Sequence, residues 1–320
     1  MQYRSLGKSG LKVSALSLGG WLTFGRIVTD DKLSRRIIAR AYEGGVNFFD
    51  IADVYATGAS ETAMGRVLAD FARHTLVISS KVFWPMSDDV NDKGLSRKHI
   101  MESIDKSLKR IGTDYLDMYF CHRYDEETPL EETVRAMDDL VHQGKILYWG
   151  TSEWTHKQIQ QAVDFCEKHN LYKPQVEQPE YNLLQRKEFE DEIAPVAQKN
   201  GLGLVIWSPL ASGLLSGKYD DGIPEDTRVA NVDWIKDDLY TEDRLDKIRQ
   251  MKPIADGLGL SRADLALAWC LRHPAVSSVI TGATKVEQVE ANLKTLDVSI
   301  DDGTLKQLDD IFGKSSLGMN

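Results

Sequence analysis

Apolar residues in this chain fall into short uninterrupted runs, each followed by a longer stretch in which they recur every three or four positions. The runs read as strands and the periodic stretches as amphipathic helices. Val13–Leu18 precedes Asp31–Glu43, Val46–Phe49 precedes Glu61–Phe71, Leu76–Ser80 precedes Arg97–Ile111, and Tyr115–Cys121 precedes Leu130–His142. Ile146–Gly150 then precedes Lys157–His169, and Gln175–Gln178 precedes Lys187–Asn200. Leu204–Trp207 is followed, after a long gap, by Glu242–Leu258 and Arg262–Leu271, and Val276–Thr281 by Val286–Thr295. Eight strand-then-helix units are the number that closes a (β/α)8 TIM barrel.

Val77-Ile78, Met118-Tyr119-Phe120 and Leu204-Val205-Ile206 do not alternate with polar residues, as expected of parallel strands covered on both faces. Gly44-Gly45, Gly144 and Gly201 stand where helices should stop, each just before a strand. Tyr3 to Lys12 reads as a hairpin around a Gly-Lys-Ser-Gly turn, suited to capping the barrel bottom. No linker composition divides the chain, so residues 1–320 are expected to form one domain, with a barrel core of about 13–298 and a C-terminal helix of about 301–313. The competing doubly wound sheet would need G-x-G-x-x-G after an early strand, and the sequence has none.

Charge and cysteine content narrow the function. The formal net charge of −10 argues against nucleic-acid binding, which needs a basic face. The acidic excess falls on helices and tails such as Asp237-Asp238 and Asp301-Asp302. No apolar window is long enough to span a bilayer. Cys121, Cys166 and Cys270 form no CxxC and cannot all pair, so a reducing cytoplasm is the expected compartment. The seven histidines show no metal-ligand spacing, and no metal is expected.

A (β/α)8 barrel builds its active site at the C-terminal ends of its strands. Asp50, Lys81 and His122 each follow an apolar run on successive strands, and Tyr55 lies five residues past Asp50. Singly, each has a plain structural reading: a cap, a first solvated residue, a satisfied histidine, a packed aromatic. Together they form a chain in which Asp50 holds the Lys81 ammonium and the ammonium is expected to lower the pKa of the Tyr55 phenol. His122 would orient a carbonyl or assist proton transfer. Such a set donates a proton to a carbonyl oxygen while a cofactor supplies hydride. Trp21, Tyr55, Trp84 and His122 are the expected substrate-facing residues.

The cofactor signals lie across the barrel. About thirty residues, Ser208 to Tyr240, separate the seventh strand from its helix, and loops of that length are usually functional or disordered. The glycines of Ser212-Gly213-Leu214-Leu215-Ser216-Gly217-Lys218 permit close approach of a pyrophosphate. Lys218 and Arg228 are candidate phosphate ligands. After the eighth strand, Gly282-Ala283-Thr284-Lys285 enters a helix whose N-terminus is a ready anion site. Several cations around one phosphate favour NADP(H) over NAD(H).

These segments carry a resemblance. Phe49-Asp50-Ile51-Ala52-Asp53-Val54-Tyr55, Gly94-Leu95-Ser96-Arg97, Tyr148-Trp149-Gly150-Thr151-Ser152, Trp207-Ser208-Pro209-Leu210-Ala211 and Ala268-Trp269-Cys270-Leu271-Arg272 make the sequence similar to the aldo-keto reductase superfamily. Within it, the chain resembles the voltage-gated potassium channel β-subunit-like branch, from about residue 3 to about residue 313. The resemblance implies an NADP(H)-binding barrel, with the family tetrad on Asp50, Tyr55, Lys81 and His122. It places cofactor contacts on Gly20, Trp21, Asp50, Ser152 and Gln178, and Tyr181 stacking on the nicotinamide. Trp207, Ser208, Pro209, Leu210, Ala211, Ser212, Lys218 and Arg228 would line the phosphates, and Gly282, Thr284, Gln288 and Asn292 the adenosine.

Three departures matter: His122 stands where channel β-subunits tend to carry Asn, Glu153 where they have Arg, and Ala291 where Glu is usual near the adenine. His122 favours turnover. The leading expectation is an NADPH-dependent reductase of aldehydes or ketones. The alternatives are a cofactor-sensing regulatory subunit with little turnover and a Schiff-base aldolase using Lys81. A homo-oligomer, tetrameric by resemblance, is also expected.

Overall fold

Two opposed apolar layers explain why the runs form strands buried on both sides. The protein is represented by a computed structural model, which describes residues 1–225 and 227–313. A short antiparallel hairpin, β1 (Tyr3–Ser5) and β2 (Lys12–Ser14), comes first. Eight strands then close a parallel barrel: β3 (Leu16–Gly19), β4 (Phe48–Asp50), β5 (Val77–Val82), β6 (Leu116–Cys121), β7 (Ile146–Ser152), β8 (Val176–Gln178), β9 (Gly203–Ile206) and β10 (Val276–Thr281), with β10 pairing β3. The run expected at Val13–Leu18 therefore splits. Lys12–Ser14 belongs to the hairpin, and the barrel strand begins at Leu16.

Alternation along each strand sorts the core. Phe48, Val77, Met118, Phe120, Val176, Val205 and Ile280 form one cluster inside the barrel. Their neighbours Phe49, Ile78, Tyr119, Leu204, Ile206 and Val279 belong to a second cluster, shared with the helices. Since successive side chains point to opposite faces, residues two or four positions beyond the inner set point inward at the barrel mouth. That parity selects Asp50, Lys81, His122, Gln178 and Trp207.

The bottom is plugged. Leu6 and Val13 of the hairpin segment, both fully buried, complete the inner cluster. Arg4 donates to the carbonyls of Val276 and Leu271 at 2.8 and 2.7 Å, and the Lys8 amide donates to Gly201 O at 2.9 Å. Gly7 is forced: a Cβ there would stand 2.3 Å from Gly201 O, and its φ is +57°.

Helices α1 (Asp31–Glu43), α2 (Ala59–Leu68), α3 (Arg97–Ile111), α4 (Leu130–His142) and α5 (His156–His169) follow the expected pattern. Asp30, Ser96 and Thr155 cap α1, α3 and α5 with side-chain oxygens. The sixth helix starts at Lys187, as expected, and then widens. Phe189–Ile193 forms a wider π turn before α6 (Ala194–Asn200), which accommodates Pro195 at the junction. The long connection holds a 3₁₀ segment, Ala211–Ser216, and the short helices α7 (Arg228–Asn231) and α8 (Asp233–Leu239). Helices α9 (Glu242–Gly257), α10 (Arg262–Leu271), α11 (Val286–Lys294) and α12 (Asp302–Phe312) complete the chain. Among the described residues, no helix is long and apolar enough to cross a membrane.

Candidate active site

Asp50 ends β4, Lys81 is the penultimate residue of β5 and His122 follows β6, so the barrel's parity delivers all three to one mouth. Lys81 is fully buried, and its ammonium donates to Asp50 Oδ2 at 2.7 Å, to the Ile51 carbonyl at 2.8 Å and to the Tyr55 hydroxyl at 3.1 Å. Its three N–H donors are thereby committed. That commitment counts against the Schiff-base reading, which needs a neutral amine with an available lone pair. The second Asp50 oxygen accepts from Ser79 Oγ at 2.8 Å and Gln178 Nε2 at 2.9 Å.

Tyr55 reaches the mouth on a tight loop whose backbone is left-handed at Ala56, Thr57 and Gly58. This loop leans on Arg110, whose side chain passes under Gly58 and pairs with the fully buried Glu61 at 2.5 Å. The His122 ring lies edge-on to Tyr55, with centroids 5.8 Å apart. His122 Nδ1 is buried without a hydrogen-bond partner, which leaves Nε2 as the nitrogen open to the mouth. Trp84 stands 6.4 Å from His122, edge-on, and Trp21 lies 6.0 Å from Trp207.

Electrostatics correct one expectation. Tyr55 is not acidified: burial pushes its phenol well above the ordinary value, and the Asp50 carboxylate adds to the rise. The Lys81 charge is cancelled at close range by Asp50, so the phenol faces a neutral pair rather than an isolated cation. Burial lowers the Lys81 pKa against the pull of Asp50. His122 is held well below the usual histidine range by burial, then by the Lys81 and Arg123 charges, and is neutral at physiological pH.

The opposite half of the mouth is built differently. Ser208, Ala211 and Ser212 all adopt left-handed backbone, at φ of 57°, 47° and 55°. Beside them a cavity of 370 Å³ is lined by Glu180, Trp207, Ser208, Ser212 and Arg244. Lys218 is exposed, with its ammonium folded over Gly213. The Arg228 side chain lies outside the described residues. Gln288 caps α11, accepting from the Thr284 and Lys285 amides at 2.7 and 3.2 Å, with Gly282, Thr284 and Asn292 along the same rim. Ser152 Oγ donates to the Gln178 carbonyl at 2.9 Å.

Comparison with known proteins decides the lineage. The model of the Aldo/keto reductase family matches residues 15–312. The chain belongs to that family. It is 50% identical over 303 residues to a "Probable voltage-gated potassium channel subunit beta" of Arabidopsis thaliana, covering 93% of this chain and 92% of that protein. A protein of Oryza sativa subsp. japonica with the same description matches with the same identity and coverage. A "Putative voltage-gated potassium channel subunit beta" of Schizosaccharomyces pombe is 43% identical over 325 residues, covering 98% and 94%. The family is one of oxidoreductases that generally bind a nicotinamide cofactor.

The chemistry of this groove suits such a group: the Trp207 indole, left-handed backbone at Ser208 and Ser212, and the Arg244 cation border one cleft. A neighbouring cavity of 580 Å³ is rimmed by Glu153, Glu180, Glu188, Asp191 and Glu192 against Arg186 and Lys187, an acidic balance that suits a dinucleotide less well.

One expected contact changes its role. Tyr181 is fully buried, stacked on Phe189 at 3.9 Å and packed against Trp269, with its hydroxyl donating to Glu190 Oε1 at 2.8 Å. Both ring faces are taken, so it is not open to a nicotinamide. Gly20 packs closely on α2, where a Cβ would lie 2.5 Å from Ser60 Oγ.

Two residues were missed. Glu153 accepts from Trp207 Nε1 at 2.8 Å and from the Glu180 amide at 2.6 Å, fixing the indole across the groove. Its departure from the family pattern was the available signal. Arg244, at the start of α9, is brought back by the long loop, and nothing in local spacing announces that return.

Proposed function

We propose that the protein is an NADPH-dependent reductase of aldehydes or ketones, acting as one barrel domain in the cytoplasm. The observation that carries the reading is the Lys81 ammonium bridging Asp50 Oδ2 at 2.7 Å and the Tyr55 hydroxyl at 3.1 Å, at the mouth of the barrel. A nicotinamide cofactor, when bound, would supply the hydride for the carbonyl carbon. Tyr55, neutral in its buried setting, gives its phenolic proton to the carbonyl oxygen. Lys81 then holds the phenolate oxygen, and Asp50 keeps the ammonium aimed. Neutral His122, through the nitrogen open to the mouth, hydrogen-bonds the same carbonyl oxygen. Gln178 and Ser152 stiffen the floor through Asp50 and the β8 carbonyl. Trp21 and Trp84 supply apolar walls. Lys218 and Arg228 support the choice of a 2′-phosphate, with Trp207 to Ser212 along the diphosphate and Gly282, Thr284, Gln288 and Asn292 at the adenosine end.

The test is NADPH oxidation with 4-nitrobenzaldehyde. Wild type turns over and Tyr55→Phe does not; equal slow rates in both would overturn the assignment.

The descriptions of the three relatives favour a second reading, a cofactor-sensing regulatory subunit with little turnover, assembled as a homo-oligomer. It predicts tight NADP(H) binding, negligible reduction of any aldehyde and recovery of one specific membrane-protein partner. His122 and the aligned proton donor favour the first.

A further inference from the structure

The charge at the mouth is not balanced. Lys81 is matched by Asp50, and Arg110 by Glu61. Arg123, half-buried immediately after His122, pairs with no carboxylate among the described residues. One Nη1–H donates to the His122 carbonyl at 2.5 Å, and the guanidinium carbon lies 5.8 Å from the centre of the Trp84 ring. The acids that follow it in the chain are engaged elsewhere. Asp125 accepts from the Leu95 and Glu127 amides and the Thr128 hydroxyl, and Glu126 accepts from Gln158.

Tyr55, His122, Trp84 and Arg123 thus form a continuous wall, in steps of 5.8, 6.4 and 5.8 Å, from the proton donor to a cation. Guanidinium has five N–H donors in a planar fork that matches a carboxylate, and one bond to His122 leaves most of them for a ligand. Trp84, 39% exposed, offers an aromatic surface between the two ends.

We infer that Arg123 is a specificity-determining residue that selects carbonyl substrates bearing a carboxylate remote from the reacting carbon, aromatic aldehyde acids foremost. The inference deepens the reductase reading and rests on it. The Arg123 charge already reaches the reacting groups, since it helps hold down the pKa values of Lys81 and His122. A bound carboxylate would neutralise that field.

4-Carboxybenzaldehyde and 4-nitrobenzaldehyde are planar, nearly equal in size and differ in charge. The readout is the ratio of their kcat/KM values in wild type, Arg123→Gln and Arg123→Lys. Loss of a charge-assisted pair lowers that ratio by about tenfold in Arg123→Gln, with partial recovery in Arg123→Lys. Raising salt from about 0.05 M to about 0.5 M shrinks the wild-type ratio toward that of Arg123→Gln. A ratio unchanged by Arg123→Gln, whether both substrates keep or lose activity equally, overturns the inference. A parallel calorimetric titration of the NADP-loaded protein with 4-(hydroxymethyl)benzoate and 4-nitrobenzyl alcohol reads the same selection without turnover. Arg123-dependent preference for the carboxylate there, with no turnover of either aldehyde, sinks the reductase reading and leaves the anion site standing. No preference sinks the site.

Discussion

The two halves of the barrel mouth solve opposite problems. On the β4–β6 side, Asp50, Lys81 and Ser79 are buried, each polar atom has a protein partner, and Tyr55, the proposed proton donor, sits at the end of that chain. On the β9–β10 side, Lys218, Gly282 and Lys285 are exposed on loops, Gln288 is exposed in the first turn of α11, and the backbone after β9 takes left-handed conformations. The first half is preorganised around its own atoms. The second offers cations and bent main chain to a group that must arrive and leave. Chemistry is thereby separated from docking, and substitutions on the two sides should read out in different constants.

The largest effect belongs to the buried half. Tyr55→Phe removes the proton donor without disturbing packing and lowers kcat by on the order of 10²–10⁴, with cofactor affinity unchanged by fluorescence titration. Asp50→Asn comes next. It leaves the Lys81 ammonium without its counter-charge in a buried setting, so the ammonium pKa falls further and kcat drops by about 10². A fall in cofactor affinity without a fall in kcat, for either variant, would erase the distinction between the halves.

On the open half the expected change is smaller and salt-dependent. Lys218→Ala weakens NADPH binding by about tenfold at low salt and less at high salt, with kcat on saturated enzyme preserved. A preference for NADH in wild type would break this side of the comparison.

The smallest effect is a pH dependence behind the groove. Burial raises the Glu177 carboxyl to about 8 and the Glu180 carboxyl to about 7. Both groups hold protons in the folded chain that the unfolded chain releases near 4.5, so their stability contribution is present below that value and lost as pH rises toward 8. Thermal unfolding between pH 5 and 9 should show the Tm of wild type falling further than that of Glu177→Gln. Parallel curves would remove Glu177 from the account.

Legibility followed the same division. Strand runs and helix periodicity located α1, α3, α4 and α10 to the residue, because their apolar stripes and caps are local properties. Asp50, Lys81 and His122 were readable for a similar reason: strand parity carries a residue to the mouth regardless of what surrounds it. Tyr181 was misplaced because its position in the loop after β8 follows no parity, and burial against Phe189 and Trp269 is a tertiary fact. Arg244 was invisible because the groove's lining is decided by how the connection after β9 doubles back. The Tyr55 pKa was misjudged because spacing shows that an ammonium is near but not that a carboxylate has already cancelled it.

The hairpin plug bears on how the chain is made. Arg4 waits for the carbonyls of Leu271 and Val276, Leu6 for a socket completed by Val205 and Ile280, and Ala15 O for the Val279 amide. Translation at bacterial or eukaryotic rates separates those partners by on the order of tens of seconds. Throughout that interval the emerging chain exposes the N-terminal apolar residues it synthesised first. The barrel can therefore close only after β10 is made: a ribosome that stalls before it leaves a chain with every early strand present and no way to shut the cylinder.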